Sequence, residues 1–279
     1  SHCYLNQNFL TLVQNTQLLR ISINHCKLLN EEGIIVLLEH NRDVKTLNLA
    51  YCSVRDFTFL SLKNKKIECT ELQNLDLEGT SITDTAIEVI FLGKIFPNLR
   101  NLNVASTNIT DKGIFTIANN FLATKLMELN ISKCSKLTDE AFNWILHCYP
   151  DSYLKKLIVR EVNFTNKILM HPRIHHFRNS VKLSLKNCKK ITKDGISEYK
   201  KTTIPLKYLN LAPNFSDQET SRFILKGYHF SEDLLSFNKL DFSAQAIRDE
   251  DVSNLCKSVY LKNIQTLDLS FTTISDESL

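Results

Sequence analysis

The apolar positions of this chain recur in a fixed frame. One segment reads Leu99-x-x-Leu102-x-Val104-x-x-Thr107-x-Ile109-Thr110-Asp111, and the next reads Leu126-x-x-Leu129-x-Ile131-x-x-Cys134-x-x-Leu137-Thr138-Asp139. The same frame opens at Leu18, Val44, Leu72, Leu99, Leu126, Leu154, Ser180, Leu206, Phe237 and Ile264, at intervals of 26 to 28 residues with one of 31. Self-similarity at so narrow a period is the mark of a stacked architecture. Inside each frame the apolar positions alternate, which predicts a short strand with one face buried. A small residue follows, then an apolar one, then a hydroxyl–acid pair: Thr83-Asp84, Thr110-Asp111, Thr138-Asp139, Ser216-Asp217 and Ser275-Asp276. Ser and Thr are good helix N-caps, and an acid in the first turn suits the helix dipole. Ser216 and Glu219 have capping-box spacing. Helical spacing comes next, as in Ile87, Ile90 and Phe91, or Phe142, Ile145 and Leu146. Gly33, Gly113 and Gly195 occupy matched positions and are expected where a helix lies close to the sheet.

Each unit therefore reads strand, turn, helix, and no unit can bury its apolar face alone. The expected fold is α/β, a horseshoe-shaped solenoid of about ten stacked repeats with a parallel concave sheet and convex helices. The expected organisation is one domain over residues 1–279. Residues 1–17 would belong to the helix of a preceding or capping unit, residues 18–279 to the repeats, and the last repeat would be cut short at Leu279. Neither end shows an obvious polar cap, so flanking sequence or a docked partner is expected there.

With these motifs in view, the chain resembles the cysteine-containing class of leucine-rich repeats, whose consensus is close to Leu-x-x-Leu-x-Leu-x-x-Cys-x-x-Ile-Thr-Asp-x-Gly-Leu. The class-defining position reads Cys26, Cys52, Thr80, Thr107, Cys134, Val162, Cys188, Asn214, Gln245 and Thr272. Asn, which marks the class of ribonuclease inhibitor and the Ran GTPase activator, occurs there once. The pattern is similar to the repeats of F-box/LRR substrate receptors and of mitotic-exit antagonist proteins. That resemblance implies a protein-binding role, and for the F-box relatives the substrate-recognition subunit of a ubiquitin ligase. No F-box is recognisable before Leu18, so a Skp1-like adaptor is implied only if an F-box lies outside this chain.

Composition narrows the classes further. Hydrophobic residues make up 43% and charged residues 23%, with 6 Gly and 5 Pro, which argues for a packed core and against a linker or a disordered chain. The apolar runs reach about five residues, as in Ile34 to Leu38, against the ~20 that a membrane span needs. No membrane association is expected. Eight cysteines could form a disulfide framework, but four of them recur at one repeat position facing the core. Reduced thiols and a cytoplasmic or nuclear protein are the reading.

Candidate chemistry is sparse. His171, His175 and His176 cluster around Pro172 without a Cys, Asp or Glu at ligand spacing, and no phosphate loop or nucleophile elbow is present. No catalytic residue, cofactor or metal is expected, and the chain reads as a non-enzyme. Cys148 matches the second recurring cysteine of the class and reads as a packing residue. Trp144 falls at an outward position of a convex helix.

The working surface should be the concave one. Its middle row is Ser22, Asn48, Asp76, Asn103, Asn130, Ile158, Ser184, Asn210, Asp241 and Asp268. From Leu154 to Lys207 the chain carries 14 Lys and Arg against three acids, while the whole chain is only +4. This asymmetry favours an acidic or phosphorylated partner. The residues expected to bind are Asn103, Glu128, Asn130, Lys156, Arg160, Lys182, Ser184, Lys186, Tyr208 and Asn210. Nucleic acid is disfavoured, because no aromatic residues interleave the basic stretch. Three functional readings follow: an interaction scaffold for such a partner, the ligase substrate receptor, and a regulator of a small GTPase. The missing Asn ladder disfavours the last.

Overall fold

A strand lies on each of the ten frames in the computed structural model. It describes residues 17–27, 29–120, 125–148, 154–174, 182–185, 187–192, 194–195, 198–199, 209–210, 239–241, 247–256 and 266–275. In chain order the elements are β1 (Arg20–Ser22), α1 (Glu31–His40), β2 (Thr46–Asn48), α2 (Asp56–Asn64), β3 (Asn74–Asp76), α3 (Asp84–Leu92), β4 (Asn101–Asn103), α4 (Asp111–Ala118), β5 (Glu128–Asn130), α5 (Asp139–Cys148), β6 (Lys156–Ile158), a single 3₁₀ turn (Asn166–Ile168), β7 (Lys182–Ser184), β8 (Leu209–Asn210), β9 (Lys239–Asp241), α6 (Asp249–Cys256) and β10 (Thr266–Asp268). The architecture is an α/β leucine-rich-repeat solenoid. The chain divides into two compact units, residues 1–157 and 158–279. Residues 1–16, where the expected helix of a preceding or capping unit falls, and the capping box at Ser216 lie outside the described residues.

In the first unit β1 to β5 pair in chain order, all parallel and in one register: Ile21 faces Leu47, Leu47 faces Leu75, Leu75 faces Leu102, and Leu102 faces Leu129. These central leucines and Ile21 are buried, while the residues on either side are half-exposed or exposed. Strands of three residues suffice because each repeat needs only one inward side chain per strand, followed by a second two residues on, such as Leu49, Leu77 and Val104. Helices α1 to α5 pack side by side in the same order and bury Ile34, Leu38, Phe59, Leu62, Ile87, Ile90, Ile114, Ile117, Phe142 and Ile145.

Each strand ends in one tightly repeated device. The middle-row side chain accepts a hydrogen bond from the backbone N–H two residues on: Ala50 to Asn48 at 3.0 Å, Glu78 to Asp76 at 3.0 Å, Ala105 to Asn103 at 3.1 Å and Ser132 to Asn130 at 3.1 Å. The residue before the Cys/Thr position then takes a left-handed conformation, with φ of 62° at His25, 58° at Tyr51, 65° at Gly79, 56° at Ser106 and 58° at Lys133. The same holds in the second unit at Glu161, Asn187 and Phe271. That conformation costs a non-glycine residue about 1–2 kcal/mol, so the surrounding bonds must hold it.

The Cys/Thr position supplies one of those bonds. Its side chain is buried, and it is not merely a small apolar filler. The Cys52 thiol donates to the Ile23 carbonyl at 2.9 Å and Cys134 to the Val104 carbonyl at 3.2 Å, each reaching into the preceding repeat. Thr80 and Thr107 instead donate within their own repeat, to Leu77 at 2.6 Å and Val104 at 2.7 Å. Cys188 does in the second unit what Cys134 does in the first, donating to the Val159 carbonyl at 3.2 Å. Either residue satisfies a strand-end carbonyl that leaves the ladder.

The hydroxyl–acid pair works between repeats. Thr83 and Thr110 cap their helices as expected, each accepting from the N–H two residues on. The acid beside each cap is spent on the next repeat: Asp56 accepts from the Thr83 N–H at 2.8 Å and its hydroxyl at 2.7 Å. Asp84 does the same to Thr110 at 2.8 and 2.6 Å, and Asp111 to Thr138 at 2.8 and 2.6 Å. In the second unit Asp249 grips Ser275, and Asn166 grips Thr192 with its amide oxygen accepting and its amide nitrogen donating. This ladder also corrects the expectation for two glycines. A Cβ on Gly113 would stand 2.5 Å from Asp84 Oδ1, and one on Gly195 would stand 2.1 Å from the Asn166 side chain. They leave room for the clamping side chain, not for the sheet. Gly33 is confined by Leu29 of its own repeat.

In the second unit β7 pairs with β8 and β9 with β10, both parallel, with Leu183 facing Leu209 and Leu240 facing Leu267.

Candidate interaction surface

The face of the first-unit sheet that the helices leave open carries three sets of side chains fixed across strands. Asn74 Nδ2 donates to Thr46 Oγ1 at 3.1 Å, and Asn101 Nδ2 donates to Asn74 Oδ1, so the leading row is laced from β2 to β4. Glu78 accepts from the Tyr51 hydroxyl at 2.6 Å and from Asn103 Nδ2 at 3.1 Å. Lys156 pairs with Glu128 at 3.2 Å. Tyr51 also stacks flat on His25, with ring centroids 4.6 Å apart at 7°. Its other side lies on the backbone of Gly79, where a Cβ would come within 2.4 Å of the ring. Gly79 thus serves twice, for its positive φ and for the ring above it.

The expected binding residues divide accordingly. Asn103, Glu128, Asn130 and Lys156 lie together on this open face, each half-buried. Asn103 and Asn130 also close their own strand-end turns, and Glu128 and Lys156 partly neutralise each other. In the second unit Arg160 is exposed, Ser184 is half-buried on β7, and Lys182 and Asn210 lie on β7 and β8. The side chains of Lys182 and Asn210, and Lys186 and Tyr208 entirely, fall outside the described residues, as do His175 and His176. The interstrand lacing of Thr46, Asn74 and Tyr51 escaped the sequence reading. Its signal was the run of short polar residues at the leading strand position, which cross-strand pairing makes neighbours.

Electrostatics single out few groups. Burial pushes the Asp76 carboxyl up, with the nearby Glu78 charge adding to it, and the hydrogen bond to Glu78 pushes the Tyr51 hydroxyl up. On the helix side Trp144 is half-buried and meets the exposed Phe115 edge-on at 4.6 Å. Among the described residues no group of three or more His, Cys, Asp or Glu is placed to hold a metal, and no helix is long and apolar enough to cross a membrane.

Burial raises the Cys69 thiol to about 12 and the Cys188 thiol to about 11, and raises Cys134 as well. At pH 8 a thiol with a pKa near 12 is ionised in roughly one molecule in ten thousand, and only the thiolate reacts. Alkylation of the native protein followed by peptide mass spectrometry should therefore label the exposed Cys256 promptly. Cys69, Cys134 and Cys188 should react only after unfolding. Labelling of Cys134 or Cys188 at the rate of Cys256 would contradict their placement.

A family model described as Leucine Rich repeat matches residues 97–118 and 260–279. A crystal structure of the Rad7 and Elc1 complex in yeast is similar over 90% of this chain and 63% of that chain, at 17% identity and a TM-score of 0.58. This chain thus spans less than two thirds of that one. A crystal structure of a TDR receptor is similar over 85% of this chain and 41% of that chain, at 12% identity and a TM-score of 0.35. No curated protein matches the sequence. The chain has the leucine-rich-repeat fold, and the leucine-rich-repeat family model matches two of its segments.

Proposed function

We propose that this chain is a non-enzymatic interaction scaffold that holds a protein partner on the open face of its parallel strands. The observation that carries the reading is the cross-strand lacing of that face from Thr46 to Asn101, with Glu78 and Glu128 fixed beside it. Side chains already immobilised lose little entropy on binding, which is what a receiving surface requires. The second unit supports an acidic or phosphorylated segment as part of the partner, because Arg160, Lys189 and Lys190 are exposed and Lys182 opens β7.

The test is affinity purification of the whole gene product from its own cells, with wild type beside two variants. Asn101→Arg with Glu128→Arg puts bulk and reversed charge on the open face and should release the partner. Glu140→Arg, on the first turn of α5, should retain it. Equal retention by both variants would sink the reading.

A second reading is the substrate receptor of a ubiquitin ligase. It is favoured by the cysteine-type repeats and is compatible with the fold likeness to a protein solved in complex with another. Recovery of a Skp1-like adaptor and a cullin in the same purification would support it, and a partner set reproducibly without them would remove it.

A further inference from the structure

Leu92, the last residue of α3, is 62% exposed. The matched position, eight residues past the aspartate that opens each helix, holds Asn64 in α2, Asn119 after α4 and His147 in α5. An apolar side chain thus meets water where the neighbouring repeats place a polar one. Four exposed lysines surround this point: Lys63, Lys65 and Lys66 at the end of α2, and Lys94 just past α3. Lys63 lies along the end of α3, since a Cβ on Gly93 would stand 3.4 Å from its Cδ. Lys66 and Lys94 hold matched positions on adjacent helices, and both are left-handed, with φ of 53° and 56°.

The fold does not account for these charges. A left-handed residue just past a helix is ordinarily glycine, which adopts that conformation freely, yet two successive repeats use lysine. The C-terminal end of a helix carries about half an elementary charge, which a single cation answers, and α2 ends in three. Among the described residues the ion pairs join Arg55 to Glu31, Lys112 to Glu88 and Lys156 to Glu128, and none of the four lysines has a side-chain partner. Glu68 and Glu71, the exposed acids of the turn that follows α2, pair with none of them.

We propose that this patch, separate from the open face of the strands, docks an acidic segment of a protein partner, with one apolar side chain of that segment resting on Leu92. Charge complementarity sets the sign of the partner. Leu92 sets its class, because a nucleic-acid backbone offers no apolar side chain to cover it. Packed helices lie ~8–10 Å apart, and an extended chain advances ~3.3 Å per residue. Lys66 and Lys94 therefore suit carboxylates about three residues apart, on either side of the apolar residue.

The experiment is fluorescence anisotropy on the whole chain with two labelled, glycine-capped peptides. One carries two aspartates on each side of a central leucine, and the other has serine in place of the leucine. The leucine peptide should bind several-fold more tightly than the serine peptide. Lys66→Gly with Lys94→Gly should weaken the leucine peptide at least fivefold, and glycine suits both left-handed positions, so this variant keeps its fold. Leu92→Asn, which installs the residue of both flanking repeats, should bring the leucine peptide down to the affinity of the serine peptide. Lys27→Gln with Lys136→Gln removes the same charge from exposed loops elsewhere in the first unit and should change nothing. Wild-type affinity in the Lys66 and Lys94 variant, or equal affinity for the two peptides, would overturn the proposal. Loss on Arg160→Gln with Lys190→Gln instead would place the acidic segment on the second unit and overturn it too. Cosedimentation with vesicles of phosphatidylcholine and phosphatidylserine is the last arm. Vesicle binding through Lys66 and Lys94 without peptide binding would make the patch a lipid-facing surface and the proposal wrong.

Discussion

Replacing Leu129 by alanine is expected to lower stability by about 2–5 kcal/mol, the range for a fully buried leucine whose cavity cannot collapse. Leu129 is 0% exposed, at the centre of β5, and pairs in register with Leu102. Its site is enclosed on the far side by α5, where Phe142, Ile145 and Leu146 are equally buried. Collapse is opposed from both sides, because β5 is bonded into a ladder whose spacing the backbone sets. Stability in a solenoid is close to a sum of repeat and interface contributions, so the loss should spread to the flanking repeats instead of staying at one site. Denaturant unfolding followed by circular dichroism measures it, and hydrogen exchange would show protection lost in β4 as well as β5. A midpoint equal to wild type would contradict the core assignment.

The strands and their burial were legible because one apolar residue in a three-residue strand leaves a clear alternation, and ten copies of the frame average out the exceptions. The helix caps were legible too, since Thr83 and Thr110 do what hydroxyls do at an N-terminus. Two features were not. The left-handed residue at each strand end is His25, Tyr51, Gly79, Ser106 or Lys133, so side-chain identity carries no common signal. The conformation is imposed by the bonds around it, from the middle-row acceptor and from the Cys or Thr that follows. The inter-repeat role of Asp84 was hidden because an acid beside a cap already has a sufficient local explanation in the helix dipole. Its real partner, Thr110, is 26 residues away.

The candidate surface was half legible. Alternation places Asn103, Glu128, Asn130 and Lys156 on the open side correctly, because a strand leaves no other choice. What a linear reading could not see is how those side chains are already committed. Asn130 is folded back onto Ser132, Asn103 is shared between its own turn and Glu78, and Lys156 is paired with Glu128. A charge count along residues 154–207 treats Lys156 as free, whereas its neighbour one strand away answers it. The charges that stand out once the pairs are drawn are acidic, at Asp76 and Glu78, in a stretch from Ile67 to Gly93 that carries six acids and no Lys or Arg.

The inter-repeat clamp predicts a change of sign that packing alone would not. Asp84→Ala removes two charge-assisted hydrogen bonds to Thr110, at 2.8 and 2.6 Å. Such bonds are worth ~1.5–3 kcal/mol each when buried. Water can replace part of them at this half-exposed position, so a loss of about 2 kcal/mol is expected. Asp84→Asn should cost roughly half as much, because Asn166 makes the equivalent grip on Thr192 with one accepted and one donated bond. Gly113 then supplies the decisive comparison. Alanine in a helix interior normally gains about 1 kcal/mol over glycine, but here its Cβ would displace the Asp84 carboxylate. Gly113→Ala should therefore destabilise the wild type, yet stabilise the Asp84→Ala background by up to about 1 kcal/mol, since nothing is left to displace. The four midpoints of that double-mutant cycle, read by thermal or denaturant unfolding, decide it. Simple additivity would mean that Asp84 and Gly113 act independently and that the clamp does not hold the repeats together.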